Sequence, residues 1–164
     1  MRITLDQFRA IKDQTGWLAY ADVLLGEQGL TLETRDQFGT YWIEAGHHMR
    51  EQIADDRVLV RLLRHVLPAY DGEAVELYRS ENTSRWERGA VGLAWTSNIE
   101  IARMFGRGLN AVHSGGVLLK ARFETSAIIS GPNRHSGYLG EDQFTIDPFA
   151  STAVSAIESF PPIE

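Results

Sequence analysis

The sequence predicts an α+β protein in which helices come first along the chain and a mostly antiparallel sheet follows. Apolar residues recur at helical spacing up to about residue 72, and short apolar runs separated by glycine-rich segments follow. The 164 residues have the length of one ordinary domain. We therefore expect a single domain over residues 1–164, with a helical part at 1–70 packed on a split sheet formed by 71–164.

Three helices are predicted in the first part of the chain. The first covers TLDQFRAIKDQ, where Thr4 and Gln7 stand in the positions of a capping box and Phe8 and Ile11 share one face. Thr31 is the expected cap of the second helix, and IADDRVLVRLLRHVL forms the third. The apolar stripe of the second helix consists of Phe38, Tyr41, Trp42 and Ala45. We expect these aromatic residues to pack in the core.

The second part of the chain is predicted to hold five strands, one helix and a strand-like tail. The strands are AVELYR, LAWT, GVLLKARF, AIIS and QFTID, and the tail is ASTAVSAIESFPPIE. The helix is NIEIARMFG, with Asn98 as its cap and with Ile101, Met104 and Phe105 facing inward.

Composition excludes several classes of function. A formal charge of -6 argues against non-specific nucleic-acid binding, since neutralising phosphates requires a basic surface. The absence of cysteine excludes disulfides and thiolate metal sites, which fits a reducing compartment. No apolar run approaches the roughly 18 residues of a membrane span, and MRITLDQFRA lacks the apolar centre of a signal peptide. We therefore expect a cytoplasmic protein, or an effector delivered without a signal peptide, and no membrane partner.

Metal and nucleophile motifs are not found in the sequence. His47 and His48 are adjacent, so on a helix their side chains point about 100° apart and do not share one ion easily. His113 and His135 fall in predicted loops. There is no nucleophile elbow and no phosphate-binding glycine loop with the required strand and helix around it. No metal is expected.

Polar residues remain at the ends of the predicted strands. Arg79 ends ELYR, Thr96 and Ser97 end the next strand, and the turn Glu141-Asp142-Gln143 opens QFTID. Each of these is commonly structural when taken alone, as a surface arginine, a helix cap or a solvated turn. Taken together, a guanidinium suits a diphosphate, hydroxyls suit a ribose or amide, and a carboxylate stabilises an oxocarbenium-like transition state.

This order of residues is similar to that of mono-ADP-ribosyltransferases of the R-S-E type, over about residues 74 to 148. ELYRS resembles the strand that carries the family's NAD-binding arginine. GLAWTSNIEIARMFG resembles the hydroxyl-bearing strand end and the helix after it. GGVLLKARF and SAIIS match the strand pair that follows, and GYLGEDQFTIDP looks like the turn and strand of the E-x-E pair.

The resemblance implies an ADP-ribosyltransferase-like fold that uses NAD as its substrate. Arg79 would bind the diphosphate, and Thr96 and Ser97 would support the nicotinamide ribose. Tyr78 and Trp95 flank these positions and are included in the NAD-binding set. Glu141 and Gln143 fall on the E-x-E pair and are the candidate catalytic residues.

The sequence departs from the family pattern at its catalytic position. The second glutamate of the pair is Gln143, which can hydrogen-bond a ribose hydroxyl but carries no charge. Losing that charge would slow the reaction by roughly 10²–10³-fold. Three explanations stay open: a natural non-catalytic relative, a shifted register in which Glu141 acts, or an inactivating substitution introduced into a toxic enzyme.

The expected function is NAD-dependent mono-ADP-ribosylation of bacterial or phage type, with transfer to a macromolecular acceptor, expected to be a protein. The loop 131–140, GPNRHSGYLG, is expected to be exposed and to meet this acceptor. The alternatives are a NAD glycohydrolase, in which water is the acceptor, and a catalytically impaired NAD-binding or interaction module with the same fold. A protein whose helical half is its working surface is a further alternative.

Overall fold

The computed structural model describes the backbone of residues 1–164 and every side chain except that of Tyr138. The chain forms two compact units. A helical unit contains Met1–Ala69 and Asn133–Ser136, and a sheet unit contains Tyr70–Pro132 and Gly137–Glu164. This boundary falls close to the predicted change at about residue 72.

The helical unit is built from four helices and the first residues of a fifth. They are α1 (Leu5–Asp13), α2 (Trp17–Gly26), α3 (Leu32–Ile53), α4 (Asp56–Val66) and the start of α7 (Arg134–Leu139). The capping box of α1 forms as predicted, because Thr4 accepts from the Gln7 N–H and the Gln7 side chain accepts from the Thr4 N–H. Thr31 caps α3 and Asp55 caps α4.

Aromatic side chains form the centre of this unit. Phe8, Trp17, Phe38 and Tyr41 are fully buried, and their ring centroids lie 5.3 to 6.1 Å apart. The Trp17 indole N–H donates to the Tyr41 hydroxyl at 3.0 Å, so the polar group of Trp17 has a partner inside the aromatic cluster. The prediction that the helical aromatics pack in a core is confirmed.

The structure corrects the predicted helix boundaries. Helix α2 is not among the predicted helices, because its segment WLAYADVLLG is apolar on nearly every side and follows Gly16, which provides no side-chain cap. The predicted third helix is interrupted, because Ala54 adopts a left-handed conformation that ends α3 after Ile53. Ala45, predicted to belong to the stripe of α3, has a non-helical backbone within it.

The sheet unit contains six strands in the order β4-β5-β2-β1-β3-β6, and all neighbouring pairs are antiparallel. The strands are β1 (Val75–Asn82), β2 (Ala94–Thr96), β3 (Gly116–Phe123), β4 (Ile128–Ser130), β5 (Gln143–Ile146) and β6 (Val154–Phe160). Helices α5 (Thr83–Glu87) and α6 (Ile99–Arg107) belong to the same unit. The α+β class, the five predicted strands and the strand in the tail are confirmed.

The pairing between strands is shortest at the centre of the sheet. Strands β1 and β3 pair along eight residues, but β1 and β2 share one residue pair, Tyr78 opposite Thr96. The sheet therefore consists of two groups of three strands that meet at this junction.

The two faces of the sheet differ in their packing. One face, here called the core face, carries the main apolar cluster, which includes Leu77, Trp95, Leu119 and Phe144. The opposite face is covered by α6, and we call it the helix face. There α6 buries Ala102 and Gly106, whereas Met104 is 57% exposed. The prediction that Met104 faces inward is wrong, because the backbone of Gly106 approaches Gly116 of β3 directly and the small side chains therefore face the sheet.

No helix among the described residues is long and apolar enough to cross a membrane.

Candidate functional site

The structure brings three of the predicted site residues together at the centre of the sheet. Thr96 ends β2 and Gln143 begins β5, and the two residues stand directly opposite one another. Tyr78 of β1 stands opposite Thr96 on its other side. Because residues that are directly opposite share a face, Gln143, Thr96 and Tyr78 form a row on the helix face.

The position of Thr96 follows from the turn that leads into α6. Its hydroxyl accepts a hydrogen bond from the Asn98 N–H at 3.1 Å. Asn98 in turn accepts from the N–H groups of Glu100 and Ile101, which confirms it as the helix cap. Thr96 is buried, whereas Ser97 is exposed at the turn. The two hydroxyls therefore have different surroundings although they are adjacent in the sequence.

The turn before β5 separates Glu141 from Gln143. Asp142 has φ 43°, so the extended strand begins only at Gln143 and Glu141 lies before it, outside the strand. The register of β5 is set by Trp95 opposite Phe144, both buried on the core face. A shift that brought Glu141 opposite Thr96 would remove Phe144 from this contact. The geometry therefore favours Gln143 over Glu141 as the residue beside Thr96.

Arg79 does not join this row. It is the next residue after Tyr78 on β1, so its side chain lies on the core face. Its Nη1 donates to the Ala94 carbonyl at 2.7 Å, and its Nε donates to Glu81 Oε2 at 3.0 Å. The guanidinium therefore bridges from β1 to β2 where the two strands separate, and it is partly buried.

Glu81 is a buried charge that the sequence analysis did not single out. Its side chain is 3% exposed, and it accepts from the N–H groups of Gly92 at 3.0 Å and Asn82 at 3.1 Å. Burial by itself raises the pKa of Glu81, but the Arg79 charge and these N–H donors outweigh burial, so the pKa is lowered. The spacing in the sequence could have placed Glu81 beside Arg79, because residues i and i+2 of a strand share a face and Glu81 follows Arg79 by two.

The aromatic residues of the predicted set have separate roles. Trp95 is 3% exposed, its ring centroid lies 5.0 Å from that of Phe123, and its indole N–H donates to the Gly92 carbonyl. It is a core residue. The Tyr78 hydroxyl donates to Glu76 at 2.8 Å, and this hydrogen bond raises the pKa of Tyr78 and lowers the pKa of Glu76.

The predicted acceptor loop at 131–140 is not an exposed loop throughout. Residues Arg134–Leu139 form α7, and Ser136 is fully buried. The Asn133 side chain accepts from the Ser136 N–H at 2.8 Å and lies against Gly39 within the helical unit. The exposure prediction is therefore wrong for Ser136, and Asn133 and His135 are only partly exposed, because this segment packs among the helices. Arg134 is exposed, as predicted. Tyr138 lies outside the described side chains.

Within the described residues, no group of three or more histidine and acidic side chains converges as metal ligands do. The rings of His47 and His48 lie 3.9 Å apart, and burial lowers the pKa of His47, with the neighbouring His48 adding to the effect.

The fold places this chain in the α+β class, with a central junction of polar residues on strands β1, β2 and β5. In comparisons with protein-family models, curated proteins and solved structures, nothing matches this chain.

Proposed function

We propose that this protein is a mono-ADP-ribosyltransferase-type domain that binds NAD at the junction of β1, β2 and β5. The observation that carries this proposal is the direct pairing of Thr96 with Gln143, next to the strand that bears Arg79. Three of the motifs that resemble the family lie on β1, β2 and β5, and these three strands are neighbours in the sheet. Strands β1 and β2 are consecutive in the chain, but β5 comes much later, and its pairing with β2 supports the resemblance because it brings Gln143 beside Thr96.

The proposed reaction breaks the bond between the ribose C1′ of NAD and the nicotinamide nitrogen. The bonding electrons leave with neutral nicotinamide, and positive charge develops on the ribose. A nucleophile of an acceptor protein then forms the new bond at C1′ and loses its proton. Gln143 would hold a ribose hydroxyl by hydrogen bonding, and Thr96 would order the strand end beside it. Arg79 would bind the diphosphate.

The second candidate is an NAD-binding module of the same fold that does not turn NAD over. Two observations favour it. Gln143 carries no charge to stabilise the oxocarbenium-like transition state. Arg79 already contacts Glu81 and the Ala94 carbonyl and lies on the core face, away from Gln143. A NAD glycohydrolase, with water as the acceptor, is the third candidate.

The first experiment measures nicotinamide release from NAD by the wild-type chain and by Gln143→Glu. We expect slow or no release from the wild type and a rate about 10²-fold higher for Gln143→Glu, because a carboxylate offsets the developing charge. Gln28→Glu is the matched control, since it makes the same charge change at an exposed position in the helical unit. Its rate should equal that of the wild type.

Thermal unfolding with millimolar NAD separates binding from catalysis. NAD that binds only the folded state must raise the melting temperature. A higher melting temperature with no release by either chain would favour the binding module. No shift and no release in both chains would refute NAD binding and therefore the proposal. Glu141→Gln tests the alternative register in which Glu141 is the catalytic residue. If the wild type releases nicotinamide and this variant does not, catalysis is assigned to Glu141.

A further inference from the structure

The buried carboxylate of Glu81 holds two arginines. Arg79 Nε and Nη2 lie 3.0 Å from Oε2, and Arg85 Nε lies 3.2 Å from Oε1. The N–H groups of Gly92 and Asn82 also donate to this carboxylate. One negative charge is thus surrounded by two positive charges and two backbone donors, and the three side chains have a net charge of about +1.

The two arginines differ in exposure, and Arg85 is the outer one. The Arg85 side chain is 46% exposed, and its contact with Glu81 involves Nε. Among the described residues, the terminal nitrogens of Arg85 have no acceptor. A guanidinium has five N–H donors, and Arg79 uses Nε and one N–H of Nη1 as hydrogen-bond donors while Nη2 faces Glu81. Both arginines therefore keep N–H groups that can donate hydrogen bonds to an anion.

The Arg79 guanidinium is held in place on several sides. It donates to the Ala94 carbonyl of β2, and it packs directly on the backbone of Gly92. A Cβ added at Gly92 would overlap its Nη2. Because the guanidinium is fixed before any ligand arrives, little conformational entropy would be lost on binding. This is the arrangement expected of a prepared anion site.

We propose that Arg85 is a second arginine of the phosphate or diphosphate site to which the proposed function assigns Arg79, and that Glu81 is the positioning residue that fixes both guanidinium groups. Arginine suits this chemistry because its planar donors match phosphate oxygens in pairs. The identity of the ligand as the diphosphate of NAD rests on the proposed function. The site itself does not, and inorganic pyrophosphate tests it alone.

The experiment is titration calorimetry with pyrophosphate on the wild type, Arg85→Ala and Arg88→Ala. Arg88 is an exposed arginine three residues further along the chain, so Arg88→Ala makes the same charge change outside the site. We expect Arg85→Ala to weaken binding about 10-fold or more, Arg85→Lys to restore it only in part, and Arg88→Ala to change it less than 2-fold. Equal loss in both alanine variants would show diffuse attraction and overturn the proposal, as would absence of binding to the wild type.

Glu81→Gln tests the positioning role, because the two possible roles of Glu81 predict opposite changes in the affinity for pyrophosphate. Removing a negative charge near an anion site should strengthen anion binding if the charge is merely a neighbour. We expect weaker binding instead, by about 5-fold, because the two guanidinium groups lose the carboxylate that orients them. Glu87→Gln, an exposed neighbour, should leave binding unchanged or slightly stronger. Tighter binding by Glu81→Gln would refute the positioning role, and the Arg85 variants test the site if Glu81→Gln fails to fold.

A parallel titration with NAD separates this inference from the proposed function. Pyrophosphate binding that depends on Arg85, with no NAD binding, would support the anion site and refute the NAD proposal. NAD binding that is equal in the wild type and Arg85→Ala would refute the role of Arg85 and leave the NAD proposal in place.

Discussion

The helical unit and the sheet unit differ in the polar and charged side chains that they bury. Among the described residues, the buried polar or charged ones are Thr34 and Ser136 in the helical unit, against Ser80, Glu81, Thr96, Ser130 and Thr145 in the sheet unit. Glu81 is the one charged residue in this group. The helical unit buries aromatic rings, and the Trp17 N–H donates to the Tyr41 hydroxyl among them. The sheet unit buries a charge where the pairing of β1 with β2 stops. Since burying a charge is costly unless it is paired, the sheet unit is where function is expected.

The largest expected effect is on the aromatic centre of the helical unit. Trp17→Ala should lower the free energy of unfolding by about 3–5 kcal/mol, because it leaves a large cavity and removes the hydrogen bond to Tyr41. Urea denaturation measures this loss. Leu18→Ala is the control, because Leu18 is 59% exposed and should change stability by no more than about 0.5 kcal/mol. Similar losses in the two variants would mean that the aromatic cluster is not the core of this unit.

A smaller effect is expected from the buried charge, and it depends on pH. The native pKa of Glu81 is lowered, so its carboxylate stabilises the fold above the ordinary glutamate pKa of about 4.3, and this contribution is lost as the pH falls through the native pKa. Glu81→Gln should therefore cost about 3 kcal/mol at pH 7 and progressively less below about pH 4. Urea denaturation at several pH values, with the exposed Glu124→Gln as control, measures this difference. A cost that stays constant with pH would show that ionisation of Glu81 does not stabilise the fold.

The smallest effect compares one helix cap in each unit. Thr4→Ala and Asn98→Ala should each cost about 1 kcal/mol, since each removes the side-chain acceptor for N–H groups in the first helical turn. Only Asn98→Ala should also weaken NAD binding, because Asn98 lies in the turn beside Thr96. The backbone N–H that donates to Thr96 is kept in this variant, but the turn that positions it loses the side-chain cap. Equal NAD affinity in the two variants would show that Thr96 has no part in NAD binding and that both helix caps are purely structural.

The local elements of this protein follow from the sequence. Capping by Thr4, Thr31 and Asn98 involves residues two or three positions apart, and the strands follow from short apolar runs between turns. A helix is not predicted where its apolar and polar faces are hard to tell apart. The segment WLAYADVLLG has apolar residues on most sides, so its periodicity did not identify α2.

The candidate site was only partly predictable, because its residues come from strands far apart in the chain. The motifs identified Thr96 and Gln143, and strand pairing places them opposite one another. The motifs also identified Arg79, but alternation along β1 places it on the other face, beside a buried glutamate.

By itself, the sequence determined the α+β class, the order of the six strands and the identity of the polar residues at the strand ends. Only the tertiary structure decided which of these residues meet. Whether Glu81 is buried depends on Gly92, Arg79 and Arg85 closing around it, and whether Ser136 is buried depends on its packing in the helical unit. Burial and charge pairing are properties of surfaces brought together from distant segments, whereas helix caps and strand alternation are set by neighbours along the chain.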